Sequence, residues 1–146
     1  KKVGYGLIAL THLARHREQR PCSAREIAEQ FGVPSSLLKN VLKELGAAGL
    51  VSSVRGARGG YRLARDSEQI SLEEIVEALE GPIRLAGCAG PQEGEVCDCV
   101  LVNECPIVSP VRAFHDRVKS VISGTSLSDF VTNGRSMTPH PAAINA

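Results

Sequence analysis

Apolar residues recur along this chain at two intervals, and the switches between them mark out the elements. Leu7, Ile8, Leu10, Leu13 and Ala14 give a rough helical stripe over residues 3–17, which Pro21 closes. Ser23-Ala-Arg-Glu26 follows, a capping box whose hydroxyl and carboxylate satisfy free amides at a helix start, so a short helix is expected from Ala24 to about Gln30. Gly32 permits a tight turn, and Pro34-Ser35-Ser36 opens a second helix reaching roughly Ala48. There Leu37, Leu38, Val41, Leu42 and Leu45 share one face, while Ser36, Lys39, Asn40 and Lys43 share the opposite one. Alone this would be an ordinary amphipathic helix. Preceded by a short helix and a glycine turn, it completes a helix-turn-helix, and its polar face becomes the candidate for the major groove.

After Gly49 the interval shortens. Leu50-Val-Ser-Ser-Val54 and Tyr61-Arg-Leu63 read as two strands joined by Arg55-Gly-Ala-Arg-Gly-Gly60, a hairpin wing with Arg55 and Arg58 near its tip. Glycines there allow close approach to DNA, and guanidiniums suit a narrow minor groove. A nucleotide loop is the competing reading, but the segment lacks the Lys-Ser/Thr ending of a P-loop and no helix follows it. A second capping box, Ser71-Leu-Glu-Glu74, starts a helix carrying Leu72, Ile75, Val76 and Leu79, which Gly81-Pro82 ends. Pro110 then introduces a late helix with Val111, Phe114, Val118, Val121 and Ile122, ending near Gly124. So narrow a stripe suits pairing with a second copy of the chain, which predicts a homodimer.

The expected fold is mainly α, a winged helix-turn-helix with a two-stranded β wing and a long C-terminal dimerisation helix. Its parts are a DNA-binding domain over residues 1–80, a cysteine-rich loop over 81–109, the dimerisation helix and end of the fold over 110–131, and a flexible tail over 132–146, where Pro, Ser, Asn and Ala mix without apolar pattern.

Charge sharpens this division. The net charge is only +1 over 146 residues, yet residues 1–65 hold 12 Lys or Arg against 4 acids, and residues 66–110 hold one Arg against 10 acids. A basic first half fits phosphate contacts, and double-stranded DNA is the predicted partner. No apolar run approaches membrane-spanning length and nothing at the N-terminus reads as a signal peptide, so no membrane partner and a cytoplasmic location are expected.

Four of the five cysteines, Cys88, Cys97, Cys99 and Cys105, fall within 18 residues rich in Gly, Glu and Pro. The spacing C-x8-C-x-C-x5-C has no C-x2-C knuckle, which argues against a zinc ribbon. Irregularly spaced thiolates on a loop suit an iron–sulfur cluster, around which the chain must wrap. An odd cysteine count without a secretory signal also argues against a disulfide framework. Cys22 stands apart and reads as a packing residue.

Beyond these readings, several segments carry a resemblance. Lys2-Val-Gly-Tyr-Gly-Leu7, Ala28-Glu-Gln-Phe-Gly-Val33, Val41-Leu-Lys-Glu-Leu45, Gly49-Leu-Val-Ser-Ser-Val-Arg-Gly56, Gly59-Gly-Tyr-Arg-Leu63, Ile70-Ser-Leu-Glu-Glu-Ile75 and Glu80-Gly-Pro82 together resemble the Rrf-two family of bacterial transcription regulators, in its iron–sulfur branch. The resemblance spans about residues 2–131 and implies a homodimer on a pseudo-palindromic operator, with a 2Fe-2S or 4Fe-4S cluster held by three cysteines. Cys88, Cys99 and Cys105 match those positions, and Cys97 is additional. The fourth ligand is left unassigned: Val108 stands where one group of members has a ligating His, and Gly4 where another has an acidic residue. Cys97, an external thiol, water or a carboxylate such as Asp98 could serve.

The function expected is therefore a DNA-binding regulator, most naturally a repressor, that senses iron, redox state or nitric oxide through the cluster. A thiol-switch or zinc-bearing regulator without a cluster is the alternative. An enzyme using Cys with His12, His16, His115 or His140 as base is disfavoured, because no nucleophile elbow or Cys/His signature is present.

Overall fold

In a computed structural model, described here for residues 1–89, 99–101 and 103–132, three helices come first: α1 (Lys2–Arg15), α2 (Ala24–Phe31) and α3 (Ser35–Ala47). The wing follows as β1 (Val51–Val54) and β2 (Gly60–Leu63), then a single 3-10 turn (Ser67–Gln69), α4 (Leu72–Glu80), α5 (Val108–Ser123) and α6 (Leu127–Thr132). The fold is thus mainly helical with one two-stranded antiparallel sheet. No helix among the described residues is long and apolar enough to cross a membrane. The expected tail beyond Thr132 lies outside the described residues.

The expected α2 and α4 form for the expected reason. The Ser23 hydroxyl accepts from the Glu26 amide and the Glu26 carboxylate accepts from the Ser23 amide, and Ser71 and Glu74 repeat the arrangement. The Ser23 amide, then the Arg20 guanidinium and the Ser23 hydroxyl, hold the Glu26 carboxyl down at about 2, below its usual 4.5. A carboxylate whose pKa is depressed on folding contributes stability above its unfolded value, and that contribution is lost as pH falls from about 4.5 towards about 2. Glu26→Gln should therefore be less stable than the parent at neutral pH, with the gap closing across that acid window in urea melts. A gap of constant size down the pH scale would place the effect in packing.

Gly32, at φ 65°, ends α2 in the left-handed region that a side chain would strain, and its neighbour Val33 donates its amide to the Ala28 carbonyl at 2.9 Å. This tight exit turns the chain into α3 across the buried faces of both helices. Leu10, Ile27, Leu38, Val41, Leu42, Leu45, Leu50, Ile70, Ile75 and Leu127 are fully buried and tie α1, α3, α4 and the base of the wing to one core.

Two features go beyond the sequence pattern. First, Cys22 pairs with Tyr61 through both backbone groups, its amide donating at 3.1 Å and its carbonyl accepting at 2.8 Å, so the wing gains a one-residue third strand. Gly60 makes this possible, since a Cβ there would meet the Cys22 backbone at 2.6 Å. Second, the chain does not end after α5. The Leu72 amide donates to the Thr125 carbonyl and the Leu127 amide to the Ile70 carbonyl, both at 2.8 Å, clasping the start of α6 to the start of α4. Asp129 caps α6 by accepting from the Ser126 amide at 2.8 Å, and wholly buried Leu127 enters the core.

Helix α5 begins at Val108, two residues before Pro110. Proline is tolerated in a first turn because the amides there have no acceptor within the helix, so Pro110 sits inside the helix it was expected to open.

Candidate DNA-reading surface and cysteine segment

Ser36, Lys39, Asn40 and Lys43 are all exposed on α3, opposite the buried Leu38, Val41, Leu42 and Leu45. Arg55 and Arg58 are exposed between the two wing strands. Several basic residues of the first 65 are neutralised within the chain. Lys2 pairs with Glu44, Arg17 with Asp66, Arg20 with Glu26, Arg25 with Glu29 and Arg65 with Glu74. Among the described residues Lys39, Lys43, Arg55, Arg58 and Arg62 form no ion pair. Cations that a protein neutralises internally offer little to a polyanion, whereas these five keep their full charge for one. Arg62, on β2, is the member that periodicity alone did not single out, because its strand position looked like ordinary outward alternation.

Two crevices border this surface. One, of about 390 Å³, lies between α3 and the wing and is lined by Lys43, Gly46, Ser52, Ser53 and Tyr61 among others. The other, of about 560 Å³, lies at the turn between α2 and α3 and includes Arg25, Ser35 and Lys39. Helix α3 starts at Pro34 with no side-chain cap, in contrast to the boxed starts of α2 and α4. Its first amides have no side-chain cap and share a crevice with Lys39, a setting that suits an anion.

The cysteine segment sits at the other end of the molecule's chemistry. Cys22, Cys88, Cys99 and Cys105 are free thiols. Cys88 is buried, at 9% exposure, next to wholly buried Ala89, and its carbonyl accepts a 2.9 Å hydrogen bond from Arg112 Nε on α5. Cys105 is half-buried just before α5, its amide donating to the Leu101 carbonyl at 2.8 Å, and Cys99 is exposed. Cys97 lies outside the described residues. Among the described residues no three metal-ligating side chains are already gathered round one point. Cys22 belongs to the wing, and burial foremost, with Glu26 adding to it, pushes its thiol above the ordinary value.

Helix α5 separates its residues more sharply than its sequence stripe indicated. His115 is buried at 2% exposure, facing inward on the side from which Arg112 reaches Cys88 and Lys119 pairs with Glu73 at 3.2 Å. Phe114 and Val121 are each 59% exposed, and Ile107, one heptad earlier, is also exposed. Val111, Val118 and Ile122 are half-buried. The apolar stripe therefore has an outward edge at Ile107, Phe114 and Val121, spaced seven apart, which a lone chain leaves in water.

Comparison with known proteins gives these surfaces a family. Residues 1–133 match the Rrf2 (Rrf-two) family, described as an iron-dependent transcriptional regulator. The chain is 32% identical over 132 residues to the HTH-type transcriptional regulator IscR of Photorhabdus laumondii, covering 90% of this chain and 77% of that one. Its fold is similar to that of CymR, the global cysteine regulator of B. subtilis, with a TM-score of 0.70 at 30% identity over 90% of this chain and 93% of that one. It is also similar to T. potens IscR, with a TM-score of 0.67 at 30% identity over 92% and 85% of the two chains. These proteins are DNA-binding transcription regulators rather than enzymes, and the chain belongs to the Rrf2 family of winged helix-turn-helix transcriptional regulators.

Proposed function

We propose that this regulator binds a double-stranded DNA operator as a homodimer, most simply as a repressor, and senses iron, redox state or nitric oxide through an iron–sulfur cluster held by Cys88, Cys99 and Cys105, with Cys97 the additional thiolate. One observation carries the DNA part: among the described residues the exposed cations of α3 and the wing, Lys39, Lys43, Arg55, Arg58 and Arg62, form no ion pair, and they cluster on one recognition helix and its wing, whereas Lys1 and Arg117, also without an ion pair, stand apart in sequence. The cluster part is supported by the donor chemistry. Three described thiols are free, one of them buried against α5 and one at the foot of that helix, and the family description and the IscR relative agree with iron. A bound 2Fe-2S or 4Fe-4S cluster supplies an electron-transfer and oxidant-sensitive centre whose integrity reports the signal. The chain's own residues do the rest. Cys88, Cys99 and Cys105 tie residues 81–109 to α5, while Arg112 fixes the Cys88 backbone to that helix.

On the DNA, Asn40 has the amide for bidentate pairing with adenine, and Lys43 meets phosphate. Asn40→Ala should cost about 1–3 kcal/mol at one operator position and relax preference there. Lys43→Ala should weaken binding to all sequences alike and reduce the salt slope by about one. Arg58→Ala should lose affinity chiefly at narrow-groove sites. Fluorescence anisotropy against salt, with operator and scrambled duplexes, separates the three, and an Arg58 variant with unchanged affinity and preference would remove the wing from the interface.

A thiol switch is the second reading, favoured by the likeness to the cysteine regulator CymR. Anaerobic purification decides between the two. Broad visible absorbance with matching iron and acid-labile sulfide supports the cluster, and a colourless protein whose DNA affinity follows thiol oxidation supports the switch.

A further inference from the structure

Gly46 is a glycine that α3 does not need. It lies inside the helix, one residue before the end, and does not adopt a positive φ. A Cβ there would touch only Val51, at 3.8 Å, which is ordinary contact. Glycine inside a helix is destabilising relative to Ala, so neither backbone geometry nor packing accounts for it. What it leaves open does. Gly46 lines the crevice of about 390 Å³ between α3 and the wing, together with Lys43, Val51, Ser52, Ser53 and Tyr61.

The register of the hairpin gives that crevice its chemistry. Val51 lies opposite Leu63 and both are buried, so this face of the wing packs on the core. Ser53 lies opposite Tyr61, two residues along each strand and therefore on the same face. Where the apolar pair ends, a pair of hydroxyls begins. Among the described residues neither hydroxyl has a hydrogen-bond partner, and the Lys43 ammonium has no ion pair. None of the described residues lining this crevice is a carboxylate, whereas Glu29 lines the crevice at the turn between α2 and α3.

We propose that the crevice between α3 and the wing seats one phosphodiester group of the operator, Lys43 supplying the charge and Ser53 and Tyr61 donating hydrogen bonds. This rests on the DNA reading above and adds a register to it. With α3 in a major groove and the wing tip in the neighbouring minor groove, the sugar–phosphate strand that divides the two grooves has to cross between them. The crevice is the gap over which it crosses. Lysine and hydroxyl side chains are usual phosphate partners, and such contacts fix a protein's position on a duplex without reading a base. Gly46 keeps the seat free of a side chain.

The test titrates the full chain by fluorescence anisotropy with operator duplexes that each carry one neutral methylphosphonate in place of a phosphate. Wild-type protein should lose about tenfold in affinity at one sensitive position in each half-site. Tyr61→Phe and Ser53→Ala each remove only an oxygen, and each should weaken binding to operator and scrambled duplexes alike by about three- to tenfold. The salt slope should not change, since no charge is lost. At the sensitive methylphosphonate these penalties should overlap rather than multiply. Gly46→Met, which places a better helix former in the crevice, should melt no lower than the wild type yet bind operator about tenfold more weakly. Penalties of Tyr61→Phe and Ser53→Ala that multiply with every methylphosphonate, or a Gly46→Met protein of wild-type affinity, overturn the seat while DNA binding stands. If no methylphosphonate position responds, and inorganic phosphate displaces operator from the wild type but not from Tyr61→Phe at matched ionic strength, the crevice takes a free anion and its assignment to DNA falls. A wild-type protein that binds neither duplex overturns the function proposed above instead.

Discussion

Replacing Phe114 and Val121 together by Asp should leave each chain folded and part the subunits. Both side chains are largely exposed in a single chain, at 59% each, so the substitution removes nothing from the core that Leu10, Leu38 and Leu42 form. In a dimer paired along this edge the same carboxylates would be buried without partners, costing several kcal/mol at each site. The effect on DNA should be larger still. Two heads joined at one seam bind their half-sites with an effective concentration that a monomer lacks, and losing it costs about 10²- to 10⁴-fold in apparent affinity. Light scattering and operator titration on the same preparation check both halves of the expectation. A doubly substituted protein that stays dimeric places the seam elsewhere.

Single Cys88→Ala, Cys99→Ala or Cys105→Ala changes should abolish the cluster and release the operator. If the holo-dimer holds its two heads at the spacing the operator demands, the coupling between cluster and DNA should lie in the usual allosteric range of about 5- to 150-fold in affinity. The sign expected is tighter binding with the cluster, so that oxidation, nitrosylation or iron shortage relieves repression. Matched apo and holo preparations titrated with operator DNA measure it directly. Equal affinities would remove the switch, and tighter apo binding would reverse it. Cys97→Ala is the informative contrast. It should leave a more labile cluster if Cys97 is the fourth ligand, and an unchanged one if the fourth donor lies elsewhere.

Much of the DNA-reading half is written locally. The capping boxes at Ser23 and Ser71 set helix starts by side chains three residues apart, and the faces of α3 follow from helical spacing alone. What the sequence conceals are features made by distant partners. The pairing of Cys22 with Tyr61 joins residues 39 positions apart and leaves no periodic trace. Helix α6 has six residues, too few for an apolar period to show, although Ser126 and Asp129 offer a cap signature and Leu127 an anchor. Spacing leaves the four histidines alike, and among the described ones it is burial that marks out His12 and His115. The inward and outward edges of α5 could not be separated from spacing, since Val111, Phe114 and Val118 satisfy either face until α4 is in place.

The clasp at Leu72, Thr125, Ile70 and Leu127 gives α5 the mechanics of a lever. Its C-terminal end is pinned by two backbone hydrogen bonds to the start of α4 and by Leu127 in the core, whereas its N-terminal end is tied through Arg112 to the segment that carries Cys88. A helix of 16 residues is about 24 Å long, so a shift of an ångström or two at the cysteine end would become a rotation of a few degrees about a fulcrum at the start of α4. In the homodimer proposed above the two rotations would add, changing the distance between the reading heads while each head keeps its own shape.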